Sequence, residues 1–284
     1  MTRSNRVVIL TATLLTLVSV PSLAQQRPLV TEDPESVGSG LVLIEGGFDF
    51  VRGQPYPVSG LEGHRFKAPT LGLSVGVSSI AEIQIDGVSY QRLSVTNRAE
   101  APLSRFVDIN GDTTSDMDDI VIGAKTRLLS EAGRRPAIGL RFATRLPNAG
   151  NESGLGLDTF DFINTLLVGK TVGAVRVIGN IGLGILSDPT RGDRQNDVVV
   201  YGLSLARAMN EVVEVVGEVS GHANTRRGDP PPGTDSTAYI RAGLRYTRGS
   251  VRFDGALITG LTSRDATVGL SAGFTWVFQG MEVP

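Results

Sequence analysis

The sequence contains no cysteine, 2 histidines and one tryptophan among 284 residues. Without cysteine the chain forms neither a disulfide framework nor a thiol-based site, so its stability must come from hydrogen bonding and burial. Phosphate loops, metal-binding helix motifs and nucleotide fingerprints are also missing. These absences exclude several large enzyme classes, and we expect no catalytic residue, no cofactor and no resident metal.

A long apolar run is missing as well once residue 24 is passed. A membrane-spanning helix needs about 20 consecutive apolar residues. The most apolar stretch, residues 162–185, is interrupted by Lys170, Arg176 and Asn180. A helical membrane protein is therefore excluded.

Residues 1–24 differ in composition from the rest of the chain. Arg3 and Arg6 precede the apolar residues 7–20, and Ser22-Leu23-Ala24 forms a small-x-small cleavage site. This order is typical of a secretory signal peptide. Its removal would take two of the 27 Lys and Arg and none of the 29 Asp and Glu, which moves the formal net charge from −2 to −4. An acidic mature chain argues against a nucleic-acid partner, because such a partner needs a basic face.

The sequence is rich in period-two alternation. In residues 266–278 the even positions are apolar and the odd positions are mostly small or polar. Successive side chains of a strand point to opposite faces, so each such segment has one apolar and one polar face. Twelve segments of this kind follow one another: 41–51, 70–79, 81–94, 119–129, 136–146, 160–171, 175–185, 197–208, 212–222, 236–247, 251–259 and 266–278. Behind a signal peptide, this pattern predicts an all-β transmembrane antiparallel up-and-down barrel.

The connections between these segments alternate in length. The odd-numbered connections are 52–69, 95–118, 147–159, 186–196, 223–235 and 260–265, and the even-numbered ones are short turns. Long extracellular loops and tight periplasmic turns are typical of outer-membrane barrels. We therefore expect both termini on the periplasmic side, with a periplasmic segment at 25–40, a barrel at 41–278 and a short tail at 279–284. A soluble β-sandwich is the alternative fold.

Aromatic residues are placed as two girdles. Phe48, Phe50, Phe160 and Phe162 fall at the expected outer rim, and Tyr246, Phe253, Trp276 and Phe278 fall at the inner rim. The closing strand also resembles the C-terminal assembly signal of outer-membrane proteins, through Ser271, Gly273, Trp276 and Phe278.

Charged residues occupy the face opposite the apolar one, which predicts a charged lumen. The acidic candidates are Glu45, Asp49, Glu82, Asp86, Asp161, Glu214, Glu218 and Asp254. The basic candidates are Lys125, Arg127, Arg141, Arg145, Arg176, Arg241, Arg245 and Arg252. Two interpretations stay open: a ladder of ion pairs that fills a narrow barrel, or opposed charged walls that line a small pore.

Two further motifs are weak. Asp108, Asn110 and Asp112 have the alternating oxygen spacing of a calcium loop, but the glycine and the closing glutamate of such a loop are misplaced or missing. Ser220 and His222 could belong to a lipid hydrolase, although both fall on the expected lumen face. An acidic solvated loop and an ordinary barrel wall are the simpler interpretations.

Two stretches together resemble a known family: residues 27–34 with 40–50, and residues 119–129 with 136–147. They are similar to the outer-membrane proteins grouped as the MetA-pathway-of-phenol-degradation family. The resemblance implies a barrel that passes small molecules, aromatic or apolar ones among them, and it defines no binding residues.

These patterns lead us to expect a channel for passive passage of small solutes in the outer membrane of a Gram-negative-type bacterium. Its expected partners are outer-membrane lipid, the outer-membrane assembly machinery and a small-molecule solute. A structural or surface-interaction barrel with a charge-plugged lumen is one alternative, and a lipid-acting enzyme is another. Whether the loop 95–118 folds inward depends on contacts that the sequence does not give.

Overall fold

A computed structural model describes residues 27–282, so the expected signal peptide lies outside the described residues. The strands are β1 (Leu41–Tyr56), β2 (Leu61–Gly76), β3 (Ala81–Arg98), β4 (Thr113–Met117), β5 (Val121–Leu129), β6 (Ala137–Arg145), β7 (Asp161–Val172), β8 (Val175–Ser187), β9 (Gln195–Ala208), β10 (Val213–Asn224), β11 (Thr237–Arg248), β12 (Val251–Gly260) and β13 (Val268–Gln279). One short 3₁₀ turn, Ser104–Phe106, interrupts the connection between β3 and β4. Within residues 27–282 no helix is long and apolar enough to cross a membrane.

The strands close into a ring. Consecutive strands pair antiparallel, except that β4 and β5 each pair with a different half of β3. The ring closes because β1 pairs with both β2 and β13. The closing seam is continuous from Leu41 opposite Gln279 to Arg52 opposite Val268. The predicted antiparallel barrel of twelve strands is confirmed, with β4 as one extra strand on the far half of β3. The side of the membrane on which the termini lie stays a prediction.

The two ends of the barrel differ in their connections. We call one the turn end, because its connections are the short segments 77–80, 130–136, 173–174, 209–212 and 249–250. We call the other the loop end, where the connections 99–120, 146–160, 188–194, 225–236 and 261–267 are longer.

The first loop-end connection corrects our prediction. Residues 52–69 were expected to form a long loop, but β1 continues to Tyr56, β2 begins at Leu61, and only residues 57–60 turn. The outward face there mixes polar and apolar residues, as at His64 and Phe66, so the regular alternation that reveals a half-buried strand is missing.

Apolar side chains face outward and charged side chains face inward, the reverse of a soluble protein. Leu257 is 67% exposed and Leu244 is 56% exposed, whereas Lys125 and Glu82 are 0% and 1% exposed. A continuous apolar band of this kind around a closed barrel is the surface that lipid covers.

The aromatic residues form two groups on the outer surface. Near the turn end Trp276 packs on Phe278 with ring centroids 4.4 Å apart, and Tyr246 lies opposite Phe253. Phe160 and the other three rings of the second group lie nearer the loop end. Rings at both rims of the apolar band suit the two membrane interfaces.

Candidate functional site in the barrel lumen

Residues 27–37, which we call the N-terminal segment, lie inside the ring of strands. The segment contacts or approaches all twelve strands of the barrel, through Glu45, Thr70, Glu82, Gln84, Lys125, Arg127, Arg141, Gly169, Arg176, Asn180, Gly202, Glu218, Arg245, Asp254 and Ala272. So short a segment reaches every strand of a closed ring only from within it. The sequence predicts residues 25–40 as a periplasmic segment. The structure places residues 27–37 inside the ring of strands, and the periplasmic assignment stays a prediction.

The middle of the N-terminal segment is held by Glu218 of β10. The Glu218 carboxylate accepts hydrogen bonds from the Val30 N–H at 3.0 Å, the Thr31 N–H at 2.8 Å and the Thr31 hydroxyl at 2.6 Å. Asn180 of β8 accepts from the Glu32 N–H at 2.7 Å and donates to the Glu32 carbonyl oxygen at 2.9 Å. Buried backbone groups need partners, and here side chains of the barrel wall supply them.

The charged side chains of the segment pair with those of the wall. Glu32 lies 3.1 Å from both Lys125 and Arg141, and Asp33 lies 2.7 Å from Arg176. Buried ions are tolerated when they are paired and hydrogen-bonded.

The two ends of the segment are held in the same way. Glu35 pairs with Arg127, and Arg27 lies 3.5 Å from Asp254. The charged side chains of the segment therefore neutralise charges of the barrel wall.

Glycines of the wall make room for the N-terminal segment. A Cβ atom added at Gly202 would lie 2.9 Å from Thr31 Oγ1, and one at Gly169 would lie 2.9 Å from Pro34 Cγ. At Gly273 it would lie 2.6 Å from Arg27 Nε. These distances are shorter than van der Waals contact, so a side chain at any of these positions would meet the segment. At Gly273 it would also meet the Gly46 carbonyl oxygen of β1, and at Gly169 it would also meet Arg176 Nη2 at 2.5 Å.

The structure brings most of the sixteen predicted lumen residues into contact with the segment or with each other. Nine contact the segment: Glu45, Glu82, Lys125, Arg127, Arg141, Arg176, Glu218, Arg245 and Asp254. Ion pairs also join strands: Asp86 with Arg141, Arg145 with Asp161, Glu214 with Arg245, and Glu218 with Arg241. Asp49 lies opposite Lys67 in the register, and Arg252 is buried. That these residues line a conducting pore stays a prediction.

Sequence reasoning missed the other half of this network. Arg27, Thr31, Glu32, Asp33 and Glu35 were not proposed as site residues, although they are buried or half-buried in the lumen. The sequence does contain one signal of these residues. Charged residues are close together between Pro28 and Pro34, in a stretch without period-two alternation. Such a stretch does not form a strand and needs oppositely charged partners if it is enclosed.

Three loop-end connections meet over the lumen. A Cβ atom at Gly233, between β10 and β11, would lie 2.8 Å from Val58 Cγ2 and 3.4 Å from Leu157 Cδ1. Val58 lies between β1 and β2, and Leu157 lies between β6 and β7. These three hairpins are spaced a third of the ring apart. Their loops can therefore contact one another only by extending over the open end of the barrel.

The acidic loop region also folds inward. Val107 and Ile109 pack against Leu61, Leu93 and Leu155, and Leu93 is fully buried. The loop end is therefore covered by packed loops.

Two cavities in the described part of the chain border the N-terminal segment inside the barrel. The turn-end cavity has a volume of about 270 Å³ and lies between the segment and strands β7 to β12, with Arg176, Arg245 and Arg252 in its wall. The mid-barrel cavity has a volume of about 240 Å³ and has Arg141, Tyr239 and Arg241 in its wall. Thr31 borders both cavities, so the N-terminal segment is the partition between them.

The structure does not assemble the calcium loop. Asp108, Asn110 and Asp112 are all exposed, and within residues 27–282 no group of three or more His, Cys, Asp or Glu side chains could hold a metal ion. Asp118 instead pairs with Lys67. Burial alone would raise the pKa of Asp118, but the charge and the hydrogen bond of Lys67 outweigh burial and lower that pKa.

Ser220 and His222 have different hydrogen-bond partners. The Ser220 hydroxyl donates to Glu218 at 3.1 Å. The His222 ring contacts the Asp235 carbonyl oxygen at 2.6 Å and the Thr237 hydroxyl at 3.0 Å. Each side chain therefore makes its own hydrogen bonds within the barrel wall.

The residues of the proposed assembly signal alternate across the closing strand. Trp276 and Phe278 lie on the outer face, and Ser271 and Gly273 lie on the inner face, where Gly273 adjoins Arg27. Beyond β13 the N–H groups of Gly280 and Met281 donate to the Gly40 carbonyl oxygen at 3.0 and 3.1 Å. The tail thus continues the closing seam.

No family model matches the sequence, and no curated protein matches it. The fold is similar to the COG4313 outer membrane channel from Pseudomonas putida F1, with a TM-score of 0.62 and 12% identity over 87% of this chain and 98% of that chain. Weaker likenesses are to the NanC porin (TM-score 0.47, 10% identity, 84% of this chain and 100% of that chain) and to the translocator domain of the autotransporter NalP from Neisseria meningitidis (TM-score 0.44, 12% identity, 85% and 89%). Together with the closed ring and its apolar outer band, the first likeness gives this chain the fold of an outer-membrane β-barrel.

Proposed function

We propose that this protein is an outer-membrane channel for passive passage of small solutes, and that its N-terminal segment forms the constriction. The observation that carries the proposal is the way in which the segment is held. Its N–H groups at Val30, Thr31, Glu32 and Val37 donate to side chains of the wall and not to a strand edge. A segment bound by separate side chains can leave its place without breaking the barrel's own ladder of backbone hydrogen bonds.

The two cavities support passage along the barrel axis. They lie on opposite sides of Thr31, so a shift of this one part of the segment would join them. Opposite charges line both, as with Glu32 and Arg141 in the mid-barrel cavity. Rings of charged side chains in a pore favour small polar or ionic solutes.

The family resemblance extends the proposal to aromatic and apolar solutes. Membership of the MetA-pathway-of-phenol-degradation family is part of the proposal, as are the lipid and assembly-machinery partners. An apolar solute would need an apolar surface large enough to contact it. Leu29, Ile178 and Val213 offer such a surface in the turn-end cavity.

A structural or surface-interaction barrel is the second candidate. The meeting of Val58, Leu157 and Gly233 over the mouth favours it, because a capped and filled barrel can serve as a rigid carrier of surface loops. A lipid-acting enzyme has no comparable support, because Ser220 and His222 have separate partners.

A disulfide between the segment and the wall distinguishes these functions. The Cβ position at Gly202 lies 3.5 Å from Thr31 Cβ, which matches the separation in disulfides, about 3.5–4.5 Å. The natural chain has no cysteine, so Thr31→Cys with Gly202→Cys forms one defined bond. Planar-bilayer recordings of the full chain should show larger conductance steps after reduction than in the oxidised state.

Each single-cysteine variant is the control, because it carries the same side chain without the bond. Equal steps in the oxidised and reduced double variant would refute the segment as the constriction while leaving a channel. Flat traces in both states, with the folded barrel confirmed by heat-modifiable gel migration, would favour the structural barrel.

A further inference from the structure

Within residues 27–282 the guanidinium of Arg252 has two buried nitrogen atoms without a hydrogen-bond partner, whereas Arg65, Arg127 and Arg145 each have one. Arg252 is 4% exposed, and its Nε and Nη2 atoms have no hydrogen-bond partner in the part of the chain that the structure describes. Buried donors of this kind cost free energy unless they are satisfied. Arg252 also borders the turn-end cavity, so a molecule in that cavity can reach it.

The nearby carboxylates do not satisfy Arg252, because each has another partner. Glu214 lies 3.0 Å from Arg245, and Asp254 lies 3.5 Å from Arg27. Glu45 accepts a hydrogen bond from the Thr275 hydroxyl at 3.2 Å.

The remaining carboxylates at the cavity are Asp33, which pairs with Arg176 at 2.7 Å, and Glu211, an exposed residue of the turn between β9 and β10. Arg252 therefore faces the cavity with its charge balanced only at longer range.

The register places a second cation beside the first. Arg252 lies opposite Thr247 on β11, and Arg245 is two residues along the same face of that strand. Diagonal neighbours of this kind lie about 7–8 Å apart, within reach of long side chains. Two guanidinium groups at this spacing repel each other, and an anion between them would relieve that repulsion.

One part of the cavity wall is aliphatic, beside polar residues such as Thr31, Ser204 and Thr247. Leu29, Ile178, Ala206, Val212 and Val213 all border the same space of about 270 Å³. A single ordered water needs only about 10–15 Å³ of such volume, so this cavity is large enough for a small organic molecule. The wall is therefore amphipathic, with cations at one part and aliphatic groups at another.

We propose that the turn-end cavity binds a small organic carboxylate, with the carboxylate on Arg252 and the apolar body against Leu29 and Val213. The inference names a solute class for the proposed channel and therefore rests on that function. Binding can nevertheless be measured without passage, so the two proposals fail separately.

The test uses benzoate as the probe and benzamide as its uncharged isostere. Titration calorimetry of the full refolded barrel in detergent, at low ionic strength, should show benzoate binding at least tenfold more tightly than benzamide. Arg252→Gln should lose at least tenfold in benzoate affinity, because it removes the charge and the paired donors. Arg252→Lys should retain part of the affinity, because a lysine keeps the charge without the planar fork.

Arg248→Gln is the matched control. Arg248 lies in the same hairpin between β11 and β12, is exposed, and does not border the cavity. This variant should bind benzoate as the natural chain does, and heat-modifiable migration checks the fold of every variant.

Equal binding of benzoate and benzamide, or no binding of either, would overturn the inference even if Arg252→Gln failed to fold. Benzoate binding that is unchanged in a folded Arg252→Gln would overturn it too. Binding without any conductance would support the site and count against the channel. Conductance without binding would support the channel and count against the site.

Discussion

Replacing Glu218 with glutamine should release the N-terminal segment. The Glu218 side chain is fully buried and accepts hydrogen bonds from two N–H groups and one hydroxyl of the segment, as well as from Arg241 at 2.8 Å. Glutamine keeps one acceptor oxygen and turns an NH₂ group towards these donors. Hydrogen bonds to a charged group contribute about 1.5–3 kcal/mol each, so the loss of two gives about 3 kcal/mol or more.

That loss changes the balance between the seated and unseated states of the segment. Each 1.4 kcal/mol is a factor of ten in an equilibrium constant, so about 3 kcal/mol raises the unseated fraction about 100-fold. In single-channel recordings Glu218→Gln should increase the time spent at the larger conductance level by that order.

Glu214→Gln provides the comparison. Glu214 is on the same strand and the same face, four residues from Glu218, and pairs with Arg245. It makes no hydrogen bond to the segment within residues 27–282, and its side chain is about a third exposed (32%). Open times that match in Glu218→Gln and Glu214→Gln would refute the view that hydrogen bonds to Glu218 seat the segment.

Three further outcomes are expected. Leu270→Arg, on the lipid face, should lower the free energy of unfolding in lipid vesicles by about 2–4 kcal/mol. Met209→Arg, in a turn, should change that free energy little. Equal effects of the two substitutions would contradict the assigned faces. Gly202→Leu should displace the segment and raise the conductance. Gly179→Leu should leave the conductance unchanged, because no atom lies within 4 Å of the Cβ position at Gly179. Unchanged conductance in both variants would contradict the steric argument. Burial alone would raise the pKa of Glu131, but hydrogen bonds from Lys170 and Thr171 and the charge of Arg176 lower it from 4.5 to about 2. The lowered pKa means that ionised Glu131 stabilises the fold above about pH 4.5, and this contribution is lost as the pH falls towards 2. The urea midpoint of the natural chain should therefore drop more between pH 6 and pH 3 than the midpoint of Glu131→Gln. Equal drops for the two chains would contradict this.

The strands could be predicted from the sequence wherever one face meets lipid and the other meets the lumen. In β13 the alternation from Val268 to Phe278 gave both the strand and its orientation, because burial in lipid demands apolar residues at every second position. The residues 61–69 of β2 escaped prediction because both faces mix polar and apolar residues there, with Leu61 buried and with His64 and Phe66 exposed. Glu214 pairs with Arg245 and Glu218 pairs with Arg241 because β10 and β11 are consecutive strands whose inward faces carry opposite charges.

The occupant of the lumen could not be predicted in the same way. Alternation shows that Lys125 points inward, but it does not show that Glu32, far away in the sequence, is its partner. Inward glycines such as Gly202 do not reveal the segment either, because a sequence gives no sign of a chain lying against them. The turn-end cavity likewise arises from the path of the segment, which depends on the closed ring.

The position of the N-terminal segment has a consequence for the order of assembly. Its partners extend along the chain from Glu45 to Ala272, so they surround one space only after β13 has paired with β1. The first part of the described chain to be made is therefore the last to reach its native contacts. Interactions formed after the rate-limiting step slow unfolding without speeding folding. Variants that weaken the seat of the segment, such as Glu218→Gln, should thus leave the rate of barrel closure unchanged and shorten the lifetime of the finished barrel.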